Sequence, residues 1–105
     1  MKKNQLLLLS LLLSSPSFAD IPKGDANAGK IKAFSCQFCH GQAGVASQDG
    51  YPHVNGQNPL YLFNAMKAYQ NSERQGNYAD MMKQQLSVFN NQDLADIASF
   101  YSQLP

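Results

Sequence analysis

The chain of 105 residues has no tryptophan, only two cysteines, and charged side chains at 14% of its positions, with a formal net charge of +1 at pH 7. Two cysteines exclude the multi-bridge disulfide framework of small exported domains. Charge this sparse and balanced leaves no basic stripe, and the aromatics recur at helix-like spacing without interleaved Lys and Arg, so nucleic acid is not an expected partner. Nor is there a long hydrophobic run: the longest, Leu6 to Leu13, is broken by Ser10 and is far shorter than the roughly 20 residues that cross a hydrocarbon core.

What that short run does support is export. Lys2 and Lys3 precede it, and Ser14, Ser15, Pro16, Ser17, Phe18 and Ala19 follow. Positive charge holds the N-terminus at the cytoplasmic face, the leucines partition into the membrane, and Ser17 and Ala19 are small enough for the peptidase. Residues 1–19 therefore read as a cleaved signal peptide, and 20–105 as a single domain delivered to the periplasm without stable membrane insertion. A retained anchor is the weaker reading, because the apolar run is too short. With Lys2 and Lys3 removed, six Lys or Arg face seven Asp or Glu over the remaining 86 residues. A domain of this size buries a modest core and often recruits a metal, disulfide or cofactor to complete it.

The two cysteines stand three positions apart in Cys36-Gln37-Phe38-Cys39-His40-Gly41, the C-x-x-C-H pattern of covalent haem attachment. On a helical turn, thiols three apart share a face and can both add to the vinyl groups of one haem. The following imidazole then lies under the iron. A thioredoxin-like oxidoreductase would need a strand-helix context and a helix N-terminus that lowers one thiol's pKa, and no strand-helix alternation is visible. A structural zinc site would need four ligands, and His53 is the one further candidate. One haem c bound through Cys36, Cys39 and His40 is the expectation.

Along the rest of the chain the signals are helical. Asp25 is a candidate N-cap for a first helix over 26–35, with Ala28, Ile31 and Phe34 at helical spacing. Gly29 inside it costs about 1 kcal/mol relative to Ala, which suggests close approach of another helix. The stretch 41–58 has no periodicity and reads as an extended loop of a length that wraps something. Asn58 and Pro59 then cap a second helix of roughly three turns, with Leu62, Ala65, Met66 and Tyr69 on one face. The stretch 71–78 is a second loop, followed by Met81 and Met82. Asn90 with Asp93 resembles a capping box for a last helix striped by Leu94, Ile97, Ala98, Tyr101 and Leu104.

His40 leaves a sixth position on the iron that either takes a side chain or stays open. Met66, Met81, Met82 and His53 are the candidates. Met66 reads as core and His53 as a surface residue or a neighbour of the propionates. The spacing leaves Met81 and Met82 equivalent.

Beyond the motif, Gly24, Asp25 and Gly29, then Pro52, Gly56 and Gln57, Tyr61 and Leu62, Arg74, the methionine pair and the segment Asn90 to Tyr101 together resemble class I c-type cytochromes. The likeness is to one half of the periplasmic dihaem carriers. It implies an all-α fold of three main helices and long loops wrapped around one haem, with the Pro52 carbonyl accepting from His40. It places the axial methionine at Met82, eight residues before Asn90, and sets Gly29 near Tyr101. The implied function is a periplasmic one-electron carrier, not an enzyme, expected as a monomer that meets its redox donor and acceptor transiently at the haem edge. It would shuttle between respiratory donors and a terminal oxidase or reductase. The rival readings are a haem subunit of a larger redox complex, and an enzyme or sensor with an open sixth site.

Overall fold

The computed structural model describes residues 21–105, so the expected leader lies outside the described residues. The described chain is helical, in the order α1 (Ala26–Lys32), a 3-10 turn (Phe34–Cys36), α2 (Gln37–His40), α3 (Pro59–Gln70), α4 (Ala79–Leu86) and α5 (Asn91–Ser102), with no strand among the described residues. No described helix is long and apolar enough to cross a membrane.

The helix starts follow local chemistry. The Asp25 carboxylate accepts from the amides of Asn27 and Ala28 and caps α1. Asn58 accepts from the Tyr61 amide with Pro59 at the first helical position of α3. Asn90 and Asp93 form a reciprocal capping box at α5. Each satisfies amides that a helix N-terminus leaves without intrahelical partners.

The core is built on α5. Leu94 and Ile97 are almost fully buried, and Ala33, Leu62, Phe63, Leu86, Ala95, Ala98 and Tyr101 surround them. Helix α1 crosses α5 at backbone contact distance. A Cβ placed on Gly29 would lie 1.9 Å from the Asp96 carbonyl oxygen and 2.9 Å from Phe100 Cβ, so only glycine permits this crossing. The close approach expected at Gly29 is therefore present, and the atoms that a Cβ would meet first belong to Asp96 and Phe100. Tyr101, the next residue after Phe100 on α5, is buried beside Cys36.

The same crossing buries a carboxylate. Asp96 is 3% exposed and accepts from the Asp25 amide at 2.8 Å, from Lys32 Nζ at 2.6 Å and from Gln92 Nε2 at 2.9 Å. Lys32 also pairs with Asp93 at 2.7 Å. Burial alone would push the Asp96 carboxyl up, but the Lys32, Asp25 and Gln92 bonds outweigh it and hold the group below the ordinary carboxylate value. A buried charge is tolerated only when its lone pairs are used in this way.

Two expectations are corrected. The stripe Ala28, Ile31, Phe34 is not the inner face of α1: Ile31 is 79% and Phe34 67% exposed, because α1 packs through Gly29 and the Asp96 network. The segment holding Met81 and Met82 is itself a helix, α4, added to the three main helices expected. Its inward residues Ala79, Met82 and Leu86 recur at steps of three and four, a pattern the sequence carried.

Candidate haem site

The chain ends α1 with the Ala33 amide bonded to the Gly29 carbonyl, tightens into the 3-10 turn, and restarts as the single turn of α2. That restart brings Cys36, Cys39 and His40 onto consecutive turns. Both cysteines are half-buried free thiols with no disulfide. Burial pushes the Cys36 thiol up, against smaller opposing hydrogen bonds from Tyr101 and Ser35. A dithiol oxidoreductase needs the opposite shift at its attacking thiol. Burial likewise pushes the Tyr101 hydroxyl above its ordinary value.

After His40 the backbone enters the left-handed region at Gly41, where φ is +82° and a Cβ would meet the Val45 carbonyl at 2.0 Å. The reversal lets the loop 41–58 return over α2. His40 is 8% exposed, and its Nδ1 lies 2.9 Å from the Pro52 carbonyl oxygen. A carbonyl only accepts, so Nδ1 carries the proton and Nε2 keeps a lone pair. This is the tautomer of an imidazole presented to a metal through Nε2 and oriented through Nδ1.

On α4 the two methionines part company. Met82 is half-buried and packs against the core, whereas Met81 is 39% exposed. Met66 also packs against the core from α3. His53 is exposed, with its Nδ1 accepting from the Ala46 amide at 2.9 Å. That bond went unread in the sequence because a backbone donor leaves no residue signature. Two shallow clefts, one along Ser72, Arg74, Gln75, Gly76 and Asp80, the other between Lys30, Phe34, Gln37 and Phe100, are not lined by His40 or Met82. Two free thiols one turn apart and a buried imidazole with its Nε2 lone pair uncommitted suit a covalently attached haem.

Comparison with known proteins agrees. No family model matches the chain. It is 39% identical over 79 residues to cytochrome c-554(548) of Halomonas halodenitrificans, covering 75% of this chain and 95% of that protein. The chain is a class I c-type cytochrome. This cytochrome is also 35% identical over 96 residues to cytochrome c4 of Pseudomonas aeruginosa, covering 91% of the chain but 45% of its relative. Reduced recombinant cytochrome c4 of Pseudomonas stutzeri superposes with a TM-score of 0.71 at 31% identity, over 78% of this chain and 46% of that one. Cytochrome c4 of Acidithiobacillus ferrooxidans gives 0.70 at 22% identity, over 82% and 53%, which supports the fold alone. The cytochrome thus spans about half the length of the cytochromes c4 it matches and nearly all of cytochrome c-554(548). It is an electron-transfer protein carrying haem c, and not an enzyme.

Proposed function

We propose that this cytochrome is a periplasmic one-electron carrier in which Cys36 and Cys39 hold the haem and His40 and Met82 are its axial ligands. It shuttles between respiratory donors and a terminal oxidase or reductase as a monomer, docking each partner transiently through a small interface. The observation that carries this reading is the bond from His40 Nδ1 to the Pro52 carbonyl at 2.9 Å, which commits the ring to one tautomer and one orientation. The inward turn of Met82 beside an exposed Met81 supports the choice within the pair.

Bound haem supplies an iron centre that passes between the ferric and ferrous states. The protein's part is to hold its ligands still, so that gain or loss of one electron requires little movement. His40 is fixed by Pro52, and Pro52 makes the imidazole a stronger donor to the metal. Met82 brings a thioether, a soft ligand that favours the ferrous state and raises the potential.

The test is visible spectroscopy of protein matured with its haem, native against Met82→Ala, in both oxidation states and with carbon monoxide. The native ferric form should show the weak long-wavelength band of sulfur ligation and the ferrous form should resist carbon monoxide. The variant should lose the band, bind carbon monoxide and have a lower potential. Ready binding by the native protein, or an unchanged variant, would overturn Met82 as ligand.

A further inference from the structure

The loop 41–58 contains a second histidine whose hydrogen bond runs opposite to that of His40. Where His40 Nδ1 donates to a carbonyl, His53 Nδ1 accepts from the Ala46 amide at 2.9 Å, so the neutral rings are held as opposite tautomers. The Pro52 oxygen that His40 uses and the His53 nitrogen belong to one planar peptide unit. A bond that restrains His53 therefore also restrains that oxygen, through the backbone nitrogen they share a plane with. Ala46, the residue His53 is tied to, is buried at 8% exposure, which gives the tie a firm anchor.

The neighbouring bonds show where that peptide would otherwise be free. Downstream, the amides of Val54 and Asn55 both donate to the Gly44 carbonyl, at 2.8 and 3.2 Å. Upstream, the Tyr51 amide reaches the Gln48 carbonyl at 3.3 Å, and the Tyr51 ring meets Tyr78 edge-on at 5.2 Å between centroids. Between these two holds stand Pro52, which has no amide proton to donate, and His53. The ring of His53 is exposed, so its burial contributes little to the core, yet its Nδ1 closes the loop across 46–53.

We propose that His53 is a positioning residue for the haem ligand: by accepting from the Ala46 amide it fixes the peptide plane whose Pro52 oxygen orients His40. This rests on the reading of His40 as the proximal ligand. The role belongs to Nδ1 specifically, which makes it separable from a general structural contribution. An asparagine amide oxygen superposes on Nδ1 of histidine, whereas the glutamine amide reaches the position of Nε2.

The experiment compares native, His53→Asn, His53→Gln and His53→Leu holoproteins by proton NMR of the ferrous form and by midpoint potential. In the native protein the ring protons of a ligated His40 should be shifted strongly upfield by the haem ring current. Their absence there overturns the ligation reading, and with it this proposal, before any variant is compared. Given that shift, His53→Leu should exchange the His40 Nδ1 proton about tenfold faster, as expected for loss of one ordered hydrogen bond. Its potential should also rise, because the imidazole becomes a weaker donor. His53→Asn should return both quantities to native values, and His53→Gln should not. Native exchange and potential in His53→Leu, or equal behaviour of Asn and Gln, would overturn the positioning role while leaving ligation intact. If His53→Leu does not accumulate, the comparison of Asn with Gln decides alone.

Discussion

Replacing Gly29 by alanine sets two opposed effects against each other at one atom. Inside a helix, alanine is favoured over glycine by about 1 kcal/mol, and α1 is short enough to gain from it. Against this, the new Cβ would stand 1.9 Å from the Asp96 carbonyl oxygen and 2.4 Å from its carbon. Ordinary contact begins near 3.4 Å, so α1 and α5 must separate by more than an ångström. The obstruction is backbone, and no rotamer change relieves it. Separation would also stretch the 2.6 Å bond from Lys32 and the 2.8 Å bond from the Asp25 amide to Asp96. Overpacking of this kind costs about 1–3 kcal/mol, and loosening bonds to a buried carboxylate adds about 1–3 kcal/mol. Subtracting the propensity gain leaves a net loss of about 3 kcal/mol. A domain of this size has roughly 4–13 kcal/mol in total, and the corresponding fall in melting temperature is about 12–24 °C. Thermal and guanidinium unfolding of the holoprotein, followed by circular dichroism, measures it. Trimming Phe100 to alanine in the same chain should not rescue the variant, since alanine keeps the Cβ that Gly29 faces and the primary clash is with the Asp96 backbone. A Gly29→Ala protein as stable as native would refute the reasoning, by showing slack between the two helices.

The Asp96 network makes stability depend on pH at both extremes. Asp93, through its bond to Lys32, and Asp96, whose hydrogen bonds outweigh its burial, both titrate below the ordinary carboxylate value of 3.8. Their contribution is complete above that value and is lost as pH falls through the depressed folded values. Lys32, held by Asp93 and Asp96, titrates above 10.5, so its contribution is complete below that value and is lost as pH rises through the folded one. Urea midpoints should therefore be flat near neutrality, and the gap between native and Asp96→Asn should close in acid; a gap independent of pH would contradict the assignment. Ile31→Ser should change stability by no more than about 0.5 kcal/mol, as a surface substitution does, while Ile97→Ala, at a side chain 1% exposed, should cost about 2–5 kcal/mol. The reverse order in denaturant melts would restore Ile31 to the core.

What the sequence made legible was chemistry that is contiguous or carried by a cap. Cys36, Cys39 and His40 are adjacent in the chain, and the signals Asn58-Pro59 and Asn90 with Asp93 mark their helices because capping is a local bond. The misreading of α1 has a physical cause: face assignment presumes that a helix packs by apolar area, and this one packs by the absence of a side chain at Gly29 and by ion pairing at Lys32. Where the buried partner is a backbone carbonyl and a carboxylate, the apolar stripe is free to point outward, as Ile31 and Phe34 do. The bond from His40 to Pro52 spans a loop without periodicity, so family resemblance, not pattern, anticipated it. The tie from Ala46 to His53 had no such guide, since its donor is an amide that every residue but proline possesses. The order of legibility thus follows the reach and the chemistry of each bond. Local side-chain caps and motif atoms can be read directly. Helix faces can be read only where burial is apolar, and contacts between a side chain and distant backbone emerge only once the fold has brought them together.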